Sequence, residues 1–336
     1  MKKKITMQDI ADHLNISKNS VSQALSGKDG VSEETRQLVQ KVANELGYAY
    51  PSKKPGKAQS QNIALIASDF TISLKGFFGE IYLSIEKELQ KRGMHLFIKS
   101  IDQQSIDHLK LPSLFDLQEI DGVIIMSHLS REYIQKVMDT GLPTVLIDHH
   151  DPHLKVDSIL TNNRFGAYLA VEHLIQLNHR DIAFVGNTKF SPSYYERLEG
   201  YKLGLNTYGI EIKEEFIFDS VEETDTATES LISNLKKQPT AWFCVNDGFG
   251  YLISSHLQLK NIKVPDDASV CSYDNGQLSR IATPKITTMG IDLEYYGQIA
   301  VEQLLWRMEN INKPYQELLL PSTLIKRQST STAPIK

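Results

Sequence analysis

Apolar residues recur in two different rhythms along this chain. From Ile5 to Tyr48 they fall three and four apart in three short groups, the spacing of helices with one buried face. Ile10, Ala11 and Leu14 form the first group, Val21, Ala24 and Leu25 the second, and Leu38, Val39, Val42, Ala43 and Leu46 the third. The polar punctuation agrees. Thr6 stands three residues before Asp9, a capping-box pairing. Asn15 breaks the first helix, Ser17 caps the second, and Ser26-Gly27 stops it. Ser32 with Glu33 and Glu34 opens a third helix that ends at Gly47. Two helices joined by a tight turn, with a third packed behind, follow the helix-turn-helix plan.

Beyond Ile63 the rhythm changes to short apolar runs separated by amphipathic stretches. Strands are predicted at 63–67, 94–99, 122–126 and 144–147, with helices around 78–91 and 131–140. A second series has strands at 182–186, 216–218, 242–245 and 269–273, and helices near 166–177, 195–208, 222–236 and 248–259. A helix over 291–309 and strands at 318–320 and 323–325 close the chain. Such alternation builds parallel, doubly wound sheets, and two series in succession build two similar lobes. Ligands of such sheets bind beyond the strand C-termini.

The stretch 49–62 is polar, basic through Lys53, Lys54 and Lys57, and interrupted by Pro51, Pro55 and Gly56. It reads as a linker. The chain thus divides into a small all-α head over 1–48, a linker over 49–62 and an α/β body over 63–336.

Charge follows this division. Net charge is −5 over 336 residues, yet residues 1–60 carry ten Lys or Arg against six acids, a balance of +4 that leaves −9 for the rest. A basic head on an acidic body is the layout of a DNA-binding module attached to something that is not one. Hydrophobic residues at 41% and charged residues at 23% are ordinary for a soluble globular protein. No apolar run approaches the ~20 residues of a membrane span, and no signal-like core follows Met1-Lys2-Lys3-Lys4. Cys244 and Cys271 sit inside strand-like runs, which implies buried free thiols in a reducing cytoplasm.

Candidate chemistry falls in two places. On the outer face of the second helix, Lys18, Asn19, Ser22 and Gln23 have the donors that read base edges in a major groove: Lys to guanine, Asn or Gln to adenine. A solvated polar face is the plainer reading of the same residues. In the body, polar side chains follow strand after strand. Asp69, Asp148, Asn246 and Asp274 stand at strand ends, and Arg197 near a helix start. Such groups hold sugar hydroxyls as paired donors and acceptors. Phe77, Phe78, Tyr194 and Trp242 offer apolar faces for a ring.

Residues 5–48 resemble the headpiece of the lactose/galactose repressor family of bacterial transcription factors. The likeness is carried by Thr6, Asp9, Ile10, Ala11, Ser17, Val21, Ser22, Leu25, the string Val31-Ser32-Glu33-Glu34-Thr35-Arg36, and Leu46-Gly47-Tyr48. It continues through Asp121-Gly122-Val123-Ile124, Glu196-Arg197-Leu198-Glu199-Gly200, Asn246-Asp247 and Val264-Pro265-Asp266-Asp267 into a body similar to periplasmic sugar-binding proteins. The resemblance implies operator contacts from Thr6, Ser17, Lys18, Asn19, Ser22 and Gln23, and effector contacts from Asp148, Arg197, Asn246 and Asp274. It further implies three crossings between lobes, with lobe 1 at about 63–160 plus 291–320 and lobe 2 at about 161–290 plus 321–330. The chain departs from the family twice. Gln23 replaces an arginine, and the linker has no leucine to wedge into a minor groove. An operator bent less, and held more by phosphate contacts from Lys53, Lys54 and Lys57, is the consequence expected; a plain flexible tether is the other reading.

The function this supports is a cytoplasmic, homodimeric regulator. It binds a two-fold double-stranded DNA operator, most simply represses a sugar-utilisation operon, and is modulated by a sugar or sugar derivative between the lobes. Control by a protein partner and activation in place of repression stand as alternatives. An enzyme is disfavoured. Gly248-Phe249-Gly250 lacks the third glycine of a dinucleotide fingerprint, and neither a Walker loop nor a nucleophile elbow occurs. His149, His150, Asp151 and His153 are read as a solvated loop, with no metal and no cofactor.

Overall fold

The computed structural model describes residues 6–26, 30–46, 48, 62–69, 71, 76–116, 119–126 and 129–334. They form two compact units, 1–60 and 61–336. The linker lysines Lys53, Lys54 and Lys57, the stop at Gly27 and the cap at Gly47 lie outside the described residues.

In the head, helices α1 (Met7–Leu14), α2 (Lys18–Ser26) and α3 (Glu33–Glu45) form as their caps dictate. The Thr6 hydroxyl accepts from Asp9 N–H and the Asp9 carboxylate accepts from Thr6 N–H at 2.7 Å, the reciprocal box. Asn15 ends α1 with φ 51°. Ser17 and Ser32 accept from the backbones of Ser20 and Thr35. Ile10, Ala11, Val21, Ala24, Leu25, Val39, Val42 and Ala43 close the core. Leu38 does not join it and is 51% exposed. At 100° per residue the stripe through Val39, Val42, Ala43 and Leu46 turns Leu38 to its edge.

In the body, β1 (Asn62–Ser68), β2 (His95–Ile101), β3 (Gly122–Met126), β4 (Thr144–Ile147), β5 (Asp157–Thr161) and β11 (Glu317–Leu320) make one sheet in the order β11-β5-β4-β3-β1-β2. Every pair in it is parallel. The second sheet holds β6 (Ile182–Val185), β7 (Ile217–Phe218), β8 (Ala241–Cys244), β9 (Ser269–Asp274), β10 (Thr287–Gly290) and β12 (Thr323–Ile325), in the order β12-β10-β9-β8-β6-β7. Only β12 runs antiparallel to its neighbour. The chain therefore crosses between sheets after β5, after β10 and after β11.

Connecting helices are α4 (Phe77–Lys91), α5 (Gln103–Asp107), α6 (Arg131–Met138), α7 (Asn163–Gln176), α8 (Pro192–Thr207), α9 (Asp225–Ser233), α10 (Asp247–Leu259), α11 (Gln277–Ile281) and α12 (Leu293–Glu309). Helix α12 returns to the first sheet, where the Tyr296 hydroxyl donates to the Ile159 carbonyl at 2.7 Å. Gly200 lets α8 lie against α7, since a Cβ there would stand 2.1 Å from the Arg164 carbonyl oxygen.

Two strands, β5 and β10, escape the apolar pattern. Asp157-Ser158 and Thr287-Thr288 are polar yet buried: the side chains of Asp157, Thr288 and Thr287 find partners in Arg307, Asp247 and Thr330, and the Ser158 N–H donates to the Gln316 carbonyl. Cys244 and Cys271 are free thiols buried in β8 and β9.

Candidate functional site

A cavity of about 390 Å³ opens at the C-terminal ends of β4, β8 and β9, with the start of α4 on its other wall. Arg197, on the first turns of α8, is 3% exposed. Its Nε donates to Asn163 Oδ1 at 2.9 Å and its Nη1 to the Val245 carbonyl at 2.7 Å. Nη1 also lies 3.0 Å from Asp274 Oδ1, and the guanidinium stacks 3.7 Å from the Tyr273 ring centre. Burial works against its charge, but its neighbours, Asp274 foremost, hold its pKa above the ordinary arginine value. Burial raises the Asp274 carboxylate in turn, opposed by Arg197. Asp274 Oδ1 stands within ion-pair range but out of line with any N–H, which keeps its acceptor capacity open.

Asp148 follows β4 with φ 52° and accepts from Ser193 Oγ at 3.1 Å. Burial pushes its pKa up to about 7, with Arg197 opposing. Asn246 caps α10 by accepting from Phe249 N–H at 2.9 Å. Its amide donates to the Tyr194 hydroxyl at 2.8 Å and to Glu223 at 2.7 Å. Phe77 and Phe78 meet edge to face at 5.0 Å on one wall, and Phe190 and Tyr194 lie 5.8 Å apart on the other. Acceptors, donors and apolar ring faces thus converge on one small space, the composition that holds a polyhydroxylated ring.

Seven of the nine residues expected here line the cavity: Phe77, Phe78, Asp148, Tyr194, Arg197, Asn246 and Asp274. Trp242 does not. It is the second residue of β8, well short of the strand's C-terminal end, and its side chain enters a packed face of the sheet, fully buried and stacked on Phe218 at 5.8 Å. Asp69 follows β1 at an exposed position and accepts from Ser100 on β2, away from the cavity. Asn163, Ser193 and Phe190 were not legible as site residues. Ser191-Pro192-Ser193, a helix start, was the available signal for one of them.

The histidine loop differs in part from expectation. His150 is partly buried, 3.0 Å from Glu196 and 3.9 Å from Glu317, and its hydrogen bond to Glu196 raises its pKa. Asp151 pairs with Arg131 at 2.7 Å. These pairs tie His150 and Asp151 to neighbouring elements, while Pro152 and His153 are exposed as a solvated loop requires.

On the head, Lys18 and Asn19 are exposed on the first turn of α2, and Ser22 and Gln23 are half-buried one turn later. The Thr6 and Ser17 hydroxyls are engaged as caps. Among the described residues, no helix is long and apolar enough to cross a membrane.

The Asp148 carboxylate gives a pH prediction. Its folded pKa, about 7, exceeds the ordinary 3.8, so the folded protein holds an extra proton between these values and this group's contribution to stability falls as pH rises through that window. Asp148→Asn should therefore gain stability over the wild type on going from pH 5 to pH 8, as read from urea melts of the ligand-free protein. A constant difference across that range would refute the assignment.

Comparison with known proteins gives concordant matches. Residues 6–51 match the family described as bacterial regulatory proteins, lacI family, and residues 171–330 match the periplasmic binding protein-like domain. The chain is 31% identical over 329 residues to the ribose operon repressor of Haemophilus influenzae, covering 96% of this chain and 98% of that one. Among solved structures it is similar to a transcriptional regulator CelR–cellobiose complex, at 25% identity, TM-score 0.72, 97% of this chain and 99% of that chain. It is also similar to a LacI family regulator from Enterococcus faecium with bound ribose, at 27% identity, TM-score 0.69, 82% of this chain and all of that one (100%).

Proposed function

The chain belongs to the lacI family of bacterial regulatory proteins, and on that premise we propose that it is a cytoplasmic, homodimeric repressor whose grip on a two-fold operator is set by a neutral sugar in the interlobe cavity. It is a DNA-binding transcriptional regulator. The observation that carries the ligand reading is the convergence of Asp148, Arg197, Asn246 and Asp274 on one cavity with aromatic walls. Relatives of matching fold hold ribose and cellobiose, which supports the same ligand class. The Arg197 guanidinium is fixed by Asn163, the Val245 carbonyl and Asp274, which pre-sets the charge of the cavity for binding. By linkage, sugar and operator bias one conformational equilibrium reciprocally.

The test is a thermal-shift screen of the full chain against sugars, sugar phosphates, amino sugars and nucleosides. A ligand at ~100 times its Kd adds about 2.7 kcal/mol. A hit that also changes operator affinity supports the reading. Silence across the panel turns the argument towards control by a protein partner.

For the head, we assign base contacts to Lys18 and Asn19 and phosphate contacts to Lys53, Lys54 and Lys57. Asn19→Ala should relax operator choice at one position by roughly 1–3 kcal/mol, measured by gel shift across single-base operator variants. Unchanged discrimination at every position would remove Asn19 from the readout.

A further inference from the structure

The cavity's Asp274 stands in a backbone conformation that its own sequence disfavours. Asp274 has φ 99° and Asn275 φ 56°, two successive left-handed residues that carry Cβ atoms. Such a turn persists only where its surroundings over-determine it. Three groups do so here, one of them Arg280, whose Nη2 donates to the Asn275 carbonyl at 2.9 Å. From one side, buried Asp247 accepts from Gly276 N–H at 2.5 Å and from the Thr288 hydroxyl at 2.7 Å, and that hydroxyl accepts from Asn275 N–H at 3.3 Å. From the other side comes Arg327, two residues beyond β12. Its Nη2 donates to Asn275 Oδ1 and its Nη1 to the Ile286 carbonyl at 2.7 Å, while its backbone N–H donates to Thr287 Oγ1 at 3.0 Å. Arg327 does not line the cavity.

We propose that Arg327 is a positioning residue for ligand binding: it clamps the left-handed Asp274-Asn275 turn against β10 and so holds the Asp274 carboxylate beside Arg197. The C-terminal tail thereby tunes ligand affinity without touching the ligand. The proposal rests on the reading that Asp274 faces the sugar.

Coupling to the turn is what separates this role from a merely structural one. Asn275→Gly removes the Oδ1 that Arg327 grips and frees the second of the two positive-φ positions, so little of the clamp's effect should remain in that background. The experiment titrates the full chain calorimetrically with D-ribose and with cellobiose. Arg327→Met is expected to weaken binding at least tenfold, and Arg327→Lys, which keeps the cation but not the forked geometry, by less. In the Asn275→Gly background, Arg327→Met should cost under threefold. An unchanged affinity in Arg327→Met overturns the proposal, and so does a tenfold loss that persists in the Asn275→Gly background. Should neither sugar bind the wild type, the sugar reading fails on these probes, and ligand-free crystal structures decide the clamp. An Asp274 carboxylate displaced from Arg197 in Arg327→Met, and restored in the double variant, supports it. A pairing kept at 3.0 Å in Arg327→Met overturns it.

Discussion

Arg197→Met is expected to leave the operator-reading head intact and to abolish the response of operator binding to the sugar, with ligand affinity falling at least ~100-fold. The side chain is buried and answers to three partners at once: Asn163, the Val245 carbonyl and Asp274. Methionine fills much of the volume but leaves Asp274 as a buried carboxylate without its counter-charge. Breaking one member of such a pair costs about 3–5 kcal/mol. Because burial already raises Asp274, loss of Arg197 drives it towards the protonated form. The cavity then loses its cation and its best acceptor together, where each bidentate contact to a sugar would have drawn on both. Arg197→Lys should be nearly as damaging, since an ammonium cannot span the three directions of the guanidinium. Calorimetric titration with the sugar identified in the screen, beside gel shifts of the same variants, measures both halves. A sugar affinity within threefold of the wild type in Arg197→Met would falsify the assignment of the cavity.

The contrast between α10 and β5 explains how much of this was legible in the sequence. Asn246-Asp247 after Trp242-Phe243-Cys244-Val245 announces a strand end and a helix cap in one string, so both the element and its polar residue could be read. Strand β5 has no such string. Its Asp157 and Ser158 are hidden by long-range partners, Arg307 and the Gln316 carbonyl, some 150 residues away, and no local pattern reports them. Asn163 was missed for the same reason: it follows an unrecognised strand, and its bond to Arg197 joins two helices. Trp242 erred in the opposite direction. An aromatic next to a ligand-bearing strand end suggests a ring platform, but a residue four before the end-cap Asn246 is still inside the sheet, where its face is covered by Phe218. Leu38 belongs with it, an apolar residue at helical spacing that a one-position rotation of the stripe leaves at the surface. Caps and strand ends are local chemistry and can be read; burial of an individual side chain is set by partners that sequence order does not bring together.

Arg307→Met tests stability at the end of the first sheet opposite the ligand, and its expected effect is as large. Asp157 is fully buried, and Arg307 grips it with two bonds, Nε at 2.6 Å and Nη2 at 2.8 Å. The same guanidinium donates to the carbonyls of Asn310, Lys313 and Pro314 at 3.0, 2.8 and 2.9 Å, and Asp157 accepts from Gln316 N–H at 2.7 Å. The pair therefore fixes the loop that delivers β11 to β5. Removing the arginine strands a buried carboxylate and three carbonyls, at about 3–5 kcal/mol for the ion pair alone. At roughly 2–4 °C per kcal/mol for a domain of this size, the body should melt about 10 °C lower. Pairing Arg307→Met with Asp157→Leu should recover at least half of that loss, because replacing both charges by apolar groups is far cheaper than orphaning one. Ligand affinity should stay at the wild-type value in both variants, since the pair sits at the N-terminal end of β5 and the cavity at the C-terminal strand ends. A single variant melting within 2 °C of the wild type would show that the loop, not the ion pair, holds β11 in place. A double variant no better than the single one would assign the loss to the freed carbonyls.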